Sequence, residues 1–153
     1  MRRLLDLRQP AVHTISADAP LADAAHLMAT HAVAAVVVLG VADPERDRPV
    51  GVLAERSFAA AAARHPDRAP RDLRVRDAMT ATTVHATLDT TVPDALALLQ
   101  DRLDHLPVTA DGQVVDLLSR SDLLAELVWH HAEVIREMRL QEHIMHLQGV
   151  YSC

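Results

Sequence analysis

Residues 115–123, VDLLSRSDL, decide the interpretation of this 153-residue chain. Their alternating apolar residues predict a short strand, the polar residues that follow predict a turn, and Asp122 lies where an Ala- and Leu-rich helix begins. The Ser119 hydroxyl and the Asp122 carboxylate therefore meet backbone N–H groups that have no partner inside the helix. Two interpretations stay open: a simple helix cap made by Ser119 or Ser121 with Asp122, or a corner that binds a polyol or a phosphate.

The same pattern occurs a second time. Residues 50–58, VGVLAERSF, lie 65 positions earlier and again place an apolar strand, a polar turn and an Ala-rich helix in that order. An amphipathic helix and an apolar strand precede each corner, at offsets of 71 and 70 positions. The connection between the last two strands is five residues longer in the first copy, and surface loops tolerate such insertions. Two diverged copies of one unit are therefore predicted.

This order of strand, helix, strand, strand and helix carries three motifs, DAPLADA at residues 18–24, VGVLAER at 50–56 and VRDAMT at 75–80. In these motifs the chain resembles the cystathionine-β-synthase (CBS) domain over residues 5–127. The resemblance implies an α/β (α+β) fold of two CBS repeats related by pseudo-two-fold symmetry, followed by a long C-terminal helix. It divides the chain into repeat 1 at 5–64, a linker at 65–76, repeat 2 at 77–127 and a C-terminal helical extension at 128–153. The Arg- and Pro-rich linker is interpreted as a solvated connector rather than an anion-binding strip.

Members of this family bind mostly adenosine-containing ligands in clefts between the repeats, and many are regulatory parts of larger proteins. The resemblance implies that Asp122 accepts both ribose hydroxyls and that Ser119 contacts the 5′ side of the ligand. It also implies that the strand start near Thr83 lies against the base. The expected ligand-binding residues are Ser119, Asp122, Arg120, Thr83, Val84, His105, Leu106 and Pro107.

His105 holds the position at which related repeats carry a basic residue that reaches the phosphates. An exposed strand residue with no ligand is an equal alternative for His105, and the neighbouring Asp104 would repel phosphate. These residues favour a ligand with few phosphates.

The first repeat departs from the family pattern at its own corner. The resemblance places a hydroxyl at Ala54 and the ribose-binding carboxylate at Ser57, and the sequence has neither group there. Ala54 cannot donate or accept a hydrogen bond through its side chain, and Ser57 brings no charge. We therefore expect the first cleft to be degenerate and the second to be competent.

Composition and charge exclude several classes of function. The net charge of −6 without a basic cluster argues against nucleic acid as a partner. The longest apolar run, residues 32–42, is shorter than the roughly 20 residues that a membrane-spanning helix needs. The single cysteine, Cys153, suits a reducing cytoplasm. No activated nucleophile, P-loop or dinucleotide-binding glycine motif is visible, so we expect no enzyme and no required cofactor.

Residues 122–148 predict one helix that is longer than the repeat requires. Its apolar stripe needs a partner, and we expect a homodimer, with an unidentified protein partner as a further option. His143 and His146 lie on a shared face and are weak candidates for a metal site completed by Cys153 or a histidine of a second copy. Ordinary surface histidines are the favoured interpretation.

These observations predict a regulatory module that binds an adenosine-type ligand, such as AMP, ADP, ATP or S-adenosylmethionine, in the cleft of repeat 2. Signalling would follow from a conformational change between the repeats. The alternative is a ligand-free dimeric interaction or scaffold module that uses the long helix only. Zinc binding through the histidines is a minor third option.

Overall fold

The structure is a computed structural model and describes residues 3–7, 12–40, 48–99 and 103–150. The first repeat follows the predicted order of strand, helix, strand, strand and helix. Its elements are β1 (Thr14–Ser16), α1 (Leu21–His31), β2 (Ala35–Leu39), β3 (Pro49–Ala54) and α2 (Glu55–Arg64).

The second repeat has the same order and ends in a much longer helix. A short helix α3 (Val75–Ala78) and a strand β4 (Thr80–Ala81) lead into it. Its own elements are β5 (Ala86–Thr87), α4 (Val92–Leu98), β6 (His105–Ala110), β7 (Gln113–Ser119) and α5 (Arg120–Val150). The predicted α+β fold with two repeats and a long C-terminal helix is confirmed.

The strands form two separate sheets, ordered β1-β2-β3-β4 and β5-β6-β7. In each repeat the first strand runs parallel to the second, and the second is antiparallel to the third. Asp111 and Gly112 connect β6 to β7 with φ angles of 52° and 80°. An Asp-Gly pair suits this two-residue hairpin because both central residues need a positive φ.

The segment before each repeat is buried in the core of the other repeat. Leu4 lies in the core of the second repeat, and its N–H donates to the carbonyl oxygen of Thr90 at 3.0 Å. Leu73 and Val75 lie in the core of the first repeat, and the N–H of Val75 donates to the carbonyl oxygen of Ala19 at 2.9 Å. The prediction of a solvated connector is therefore wrong for Leu73 and Val75, because these apolar side chains are used to close the neighbouring core.

The polar part of this segment forms local pairs. Arg76 and Arg68 make ion pairs with Asp18 and Asp77, respectively. The guanidinium of Arg74 donates to the carbonyl oxygen of Asp18 at 2.6 Å. Arg74 and Arg76 therefore tie the connection to repeat 1, whereas Arg68 contacts the start of repeat 2. These three arginines do not form a continuous anion-binding strip.

The start of the second repeat also differs from the expectation. Thr80 and Ala81 pair with β3 and extend the sheet of the first repeat. Residues 82–85 then cross between the sheets without belonging to a strand, and β5 begins only at Ala86. The sequence placed the strand start at 82–85 because these residues have high strand propensity, whereas the crossing between two sheets interrupts the ladder.

Helix α5 leaves the body of the molecule. Leu123, in its first turn, is fully buried in the core of the second repeat beside α4. Every described side chain from Val134 to Gly149 is exposed. Within the described ranges, none of the helices combines the length and the apolar character that crossing a membrane requires.

Candidate ligand-binding clefts

The strand register brings three predicted site residues together. In the antiparallel pair β6-β7, His105 lies directly opposite Ser119, and α5 begins at the next residue. The Ser119 hydroxyl accepts the N–H of Asp122 at 3.0 Å, and the Asp122 carboxylate accepts the N–H of Ser119 at 3.2 Å. The helix cap suggested by the sequence is therefore present. Because each carboxylate oxygen has two lone pairs, Asp122 can still accept hydroxyl groups from a ligand.

These residues line a cavity of about 320 Å³, which we call the second cavity. Its repeat 2 side consists of His105, Asp116, Leu117, Ser119 and Asp122. Its repeat 1 side consists of Val12, His13 and the residues 32–35 that connect α1 to β2. The second cavity therefore lies between the repeats, and its volume is at the lower end of the range for small-molecule sites.

His105 is neutral near pH 7 in this environment. Burial lowers the pKa of its imidazole, and the nearby Arg56 lowers it further, whereas the carboxylates of Asp104 and Asp122 act in the opposite direction. A neutral imidazole can donate one hydrogen bond but offers no positive charge to a phosphate.

Two carboxylates make the second cavity acidic. Asp116 is 2% exposed, and its carboxylate accepts the N–H of Leu117 at 2.8 Å. Asp122 is exposed in the first turn of α5. Among the described residues that line this cavity there is no arginine. The second cavity therefore suits hydroxyl groups and uncharged rings better than a chain of phosphates.

The sequence interpretation missed the repeat 1 side of this cavity. The rings of His13 and His31 stack with centroids 4.0 Å apart, which fixes His13 at the edge of the cavity. The missed residues on this side are Val12, His13, Ala32, Val33, Ala34 and Ala35. Asp116 and Leu117 were missed on the repeat 2 side. The repeat offset of about 70 positions relates residues 82–84 to residues 12–14, so the internal symmetry could have identified His13.

A larger cavity of about 870 Å³, the first cavity, lies beside α2. Its described lining is Arg56, Ser57, Ala60 and Arg64 from α2, residues 78–82, Val84 and Leu103. Val84 is therefore not brought together with Ser119 and Asp122. Thr83 is exposed and lines neither cavity. The pairing of β4 with β3 explains this placement, because it holds the segment that follows β4 against repeat 1.

Three further expected ligand residues have other surroundings. Leu106 and Pro107 are fully buried in β6, the central strand of its sheet. The guanidinium of Arg120 donates to the carbonyl oxygen of Leu103 at 3.3 Å, and its Nε lies 3.5 Å from Asp104. None of these three side chains lines the second cavity in the described part of the chain.

The first cavity has no carboxylate in its described lining. The Ser57 hydroxyl is 3.1 Å from the N–H of Ala54 and accepts its hydrogen bond, so it replaces the cap that Asp122 provides in repeat 2. Arg56 makes an ion pair with Asp104 at 2.6 Å, and Arg64 donates to the carbonyl oxygen of Asp77 at 3.3 Å. Both cations of this cavity therefore already contact protein oxygens.

The two described candidate metal ligands, His143 and His146, belong to no metal-binding cluster of described residues. Across the described ranges, no group of three or more His, Cys, Asp or Glu side chains is arranged to hold a metal ion. His143 and His146 are exposed on α5. Cys153, the third candidate, lies outside the described residues.

The fold and the clefts define a module of two repeats that share one element order, with cavities of ligand size at their boundary. The family model of the CBS domain matches residues 5–64 and 75–128. The chain therefore belongs to the CBS domain family and carries two CBS domains in tandem. CBS-domain proteins are generally regulatory rather than catalytic.

Solved structures of CBS-domain proteins are similar over most of the chain. A crystal structure of the CBS domain NE2398 is 31% identical, with a TM-score of 0.68, and the match covers 84% of this chain and 99% of that chain. The CBS-domain containing protein ATU1752 from Agrobacterium tumefaciens is 26% identical, with a TM-score of 0.64 and coverage of 80% and 88%.

CBSX2 from Arabidopsis thaliana was solved in complex with AMP and shares the fold at 22% identity. Its TM-score is 0.64, and the match covers 86% of this chain and 99% of that chain. No curated protein matches the chain.

Proposed function

We propose that this protein is a regulatory module that binds an adenosine-type ligand in the second cavity. One observation carries the proposal: Ser119, Asp122 and His105 meet in a single cavity that the other repeat closes with Val12 and His13. A ligand in this place contacts both repeats at once. The AMP-bound relative supports the choice of an adenosine compound.

Each side of the cavity has a distinct chemical role in this proposal. The Asp122 carboxylate accepts the two ribose hydroxyls in charge-assisted hydrogen bonds. The Ser119 hydroxyl contacts the 5′ side, and the neutral His105 donates a single hydrogen bond there. The base lies against the small apolar side chains of Val12 and residues 32–35, where it is removed from water.

The charges of the cavity favour few phosphates. Asp116 and Asp122 repel a polyphosphate, and His105 is neutral near pH 7. We therefore expect adenosine, AMP or S-adenosylmethionine to bind more tightly than ATP. Regulation requires that the ligand prefer one arrangement of the two repeats over another, because a ligand with equal affinity for both shifts nothing.

Titration calorimetry with adenosine, AMP, ATP and S-adenosylmethionine tests the proposal. Asp122→Ala should abolish binding of the compound that the wild type binds. Since Asp122 also caps α5, its loss costs about 1 kcal/mol of stability by itself. Asp77→Ala is the matched control, because the Asp77 carboxylate accepts the N–H of Arg74 at 2.9 Å in the same way but lines neither cavity.

If Asp122→Ala binds with wild-type affinity while remaining folded, the assignment of the ribose site is wrong. Absence of binding by the wild type to every adenosine compound would favour the second candidate function, a ligand-free dimeric interaction module. The exposed apolar side chains of α5 support that candidate. Neither function requires a cofactor. Cell fractionation tests the cytoplasmic location that the sequence analysis expects.

A further inference from the structure

The first cavity differs from the second in the sign of its charge. Its described lining has two arginines, Arg56 and Arg64, and no carboxylate. The described lining of the second cavity has Asp116 and Asp122 and no arginine. With a volume of about 870 Å³, the first cavity falls within the range of small-molecule sites. Its charge favours an anion, whereas the carboxylates of the second cavity favour hydroxyl groups.

This difference arises in part at one position of the repeat. Ser57 and Asp122 are 65 positions apart, and each is the third residue of the helix that follows the last strand of its repeat. Ser57 is 6% exposed, and its hydroxyl accepts the N–H of Ala54 at 3.1 Å. Among the described residues this is its single hydrogen bond, so its proton can still be donated to an oxygen in the cavity. At this position the first cavity therefore offers a donor, where the second has a negative charge.

Arg64 gives the first cavity a positive charge that the protein does not neutralise by contact. Its guanidinium donates to the carbonyl oxygen of Asp77 at 3.3 Å, which is an uncharged acceptor. It makes no ion pair with any residue of the described ranges. Arg56, by contrast, pairs with the carboxylate of Asp104 at 2.6 Å. The described lining thus has one cation without a carboxylate beside it, which suits a monoanion better than a polyphosphate.

Most of the remaining lining is apolar. Small and aliphatic side chains come from α2, from the segment around β4 and from the segment before β6. These residues are Ala60, Ala78, Met79, Ala81, Val84 and Leu103. Apolar parts of a ligand gain free energy when such side chains remove them from water. The lining therefore favours an anion that carries an apolar body over a small inorganic ion.

We propose that the first cavity is a separate binding site for an organic monoanion with an apolar body, such as a medium-chain carboxylate. The carboxylate binds the Arg64 guanidinium at the end of α2, since the planar donor fork of arginine matches two carboxylate oxygens. The apolar body lies along Ala60 and Met79 toward Ser57. From Arg64 to Ser57 the helix rises about 10 Å, at 1.5 Å per residue, which leaves room for a chain of several carbon atoms. This site goes beyond the proposed function and does not depend on adenosine binding at the second cavity.

Titration calorimetry of the full chain with octanoate, octanamide and acetate tests the class of ligand. Octanamide has the apolar body without the charge, and acetate has the charge without the body. Octanoate should bind, and the other two compounds should bind at least about tenfold more weakly. Absence of octanoate binding, or equal affinity for octanoate and either of the other compounds, would overturn the proposal.

Two pairs of variants locate the site. Arg64→Gln removes the charge and should weaken octanoate binding about tenfold, whereas Arg71→Gln, an exposed arginine outside both cavities, should not. Ala60→Phe fills the lining and should weaken octanoate binding by a similar factor. Ala62→Phe, exposed on another face of α2, is its control and should have no effect. Equal effects within either pair would place octanoate outside the first cavity and overturn the proposal.

Titration of AMP into the same samples separates this site from the proposed adenosine site. AMP affinity should be unchanged in Arg64→Gln and Ala60→Phe, and AMP should not displace octanoate. Displacement would place both compounds in one cavity and overturn this inference. A wild type that binds octanoate but no adenosine compound contradicts only the proposed function, whereas one that binds AMP but not octanoate contradicts only the anion site.

Discussion

Nη1 of Arg56 lies 2.6 Å from a carboxylate oxygen of Asp104, and this ion pair joins helix α2 of the first repeat to the start of β6 in the second. Arg56 lines the first cavity, whereas His105, the residue after Asp104, lines the second. The pair therefore connects the two cavities across the boundary between the repeats. A change in the relative position of the repeats must change this contact.

The first prediction concerns the strength of this pair. Its side chains are 59% and 38% exposed, so solvent screens most of the attraction. A double-mutant cycle of Arg56→Ala and Asp104→Ala should give a coupling free energy of about 0.2–1 kcal/mol, measured by urea unfolding. The coupling should fall as salt is added. A cycle of Arg56→Ala with Asp94→Ala, an exposed residue on α4, serves as the control and should give no coupling.

The second prediction follows from the lowered pKa of His105. Because the unfolded chain binds the proton more readily, unfolding is favoured as soon as the pH falls below the ordinary pKa of about 6.5. The free energy of unfolding should therefore be unaffected by this residue above pH 7 and should decrease between pH 6.5 and the folded-state pKa. His105→Asn should flatten that decrease, measured by urea unfolding at a series of pH values.

The matched control is His26→Asn, since His26 is exposed on α1. This variant should retain the pH dependence of the wild type. If His105→Asn and the wild type lose stability in parallel from pH 7 to pH 5, burial does not hold His105 neutral. The proposed role of His105 as a neutral donor of one hydrogen bond to the ligand would then be wrong.

The third prediction separates a core residue from a ligand residue. Leu106 has no exposed surface, so Leu106→Ala removes packed methyl groups and leaves a void. The free energy of unfolding should fall by about 2–5 kcal/mol. The affinity for the adenosine ligand, measured at a temperature where the variant is folded, should stay within about twofold of the wild type. A large loss of affinity with little loss of stability would show that Leu106 is a ligand-binding residue, as the sequence analysis expected.

The fold could be predicted from the sequence because the local strand and helix patterns are the same in both repeats. The strand and helix periods of residues 50–58 and 115–123 reappear as β3-α2 and β7-α5. It was also sufficient to bring Ser119 and Asp122 together, since three residues at a helix start form one cap. These are relations between neighbours in the chain, which short patterns describe.

The rest of the site depends on contacts between distant segments. His13 and Asp116 reach the second cavity only because two sheets from different repeats face each other. Val84 was grouped with Asp122 because both belong to the second repeat, whereas pairing of β4 with β3 holds this segment beside the first cavity. Burial of Leu106 likewise depends on the central position of β6 in its sheet, which no short pattern reports.

The fourth prediction concerns the close approach of β3 and β4 at Gly51. A Cβ at this position would lie 2.8 Å from the sulfur of Met79 and 2.8 Å from the backbone oxygen of Thr80. Met79 can turn away, but the Thr80 oxygen belongs to the strand that pairs with Gly51 and cannot move alone. Gly51→Ala should therefore separate β4 from β3 and lower the free energy of unfolding by about 1–3 kcal/mol, measured by urea unfolding.

Gly149→Ala provides the opposite control, since a Cβ there meets nothing within 4 Å and the residue lies in a helix. It should leave stability unchanged or raise it by up to about 1 kcal/mol, because alanine loses less backbone entropy on folding. Met79 and Thr80 line the first cavity only, so Gly51→Ala should leave ligand affinity at the second cavity intact. If Gly51→Ala is as stable as the wild type, the two strands are not in the tight contact that carries the connection between the repeats.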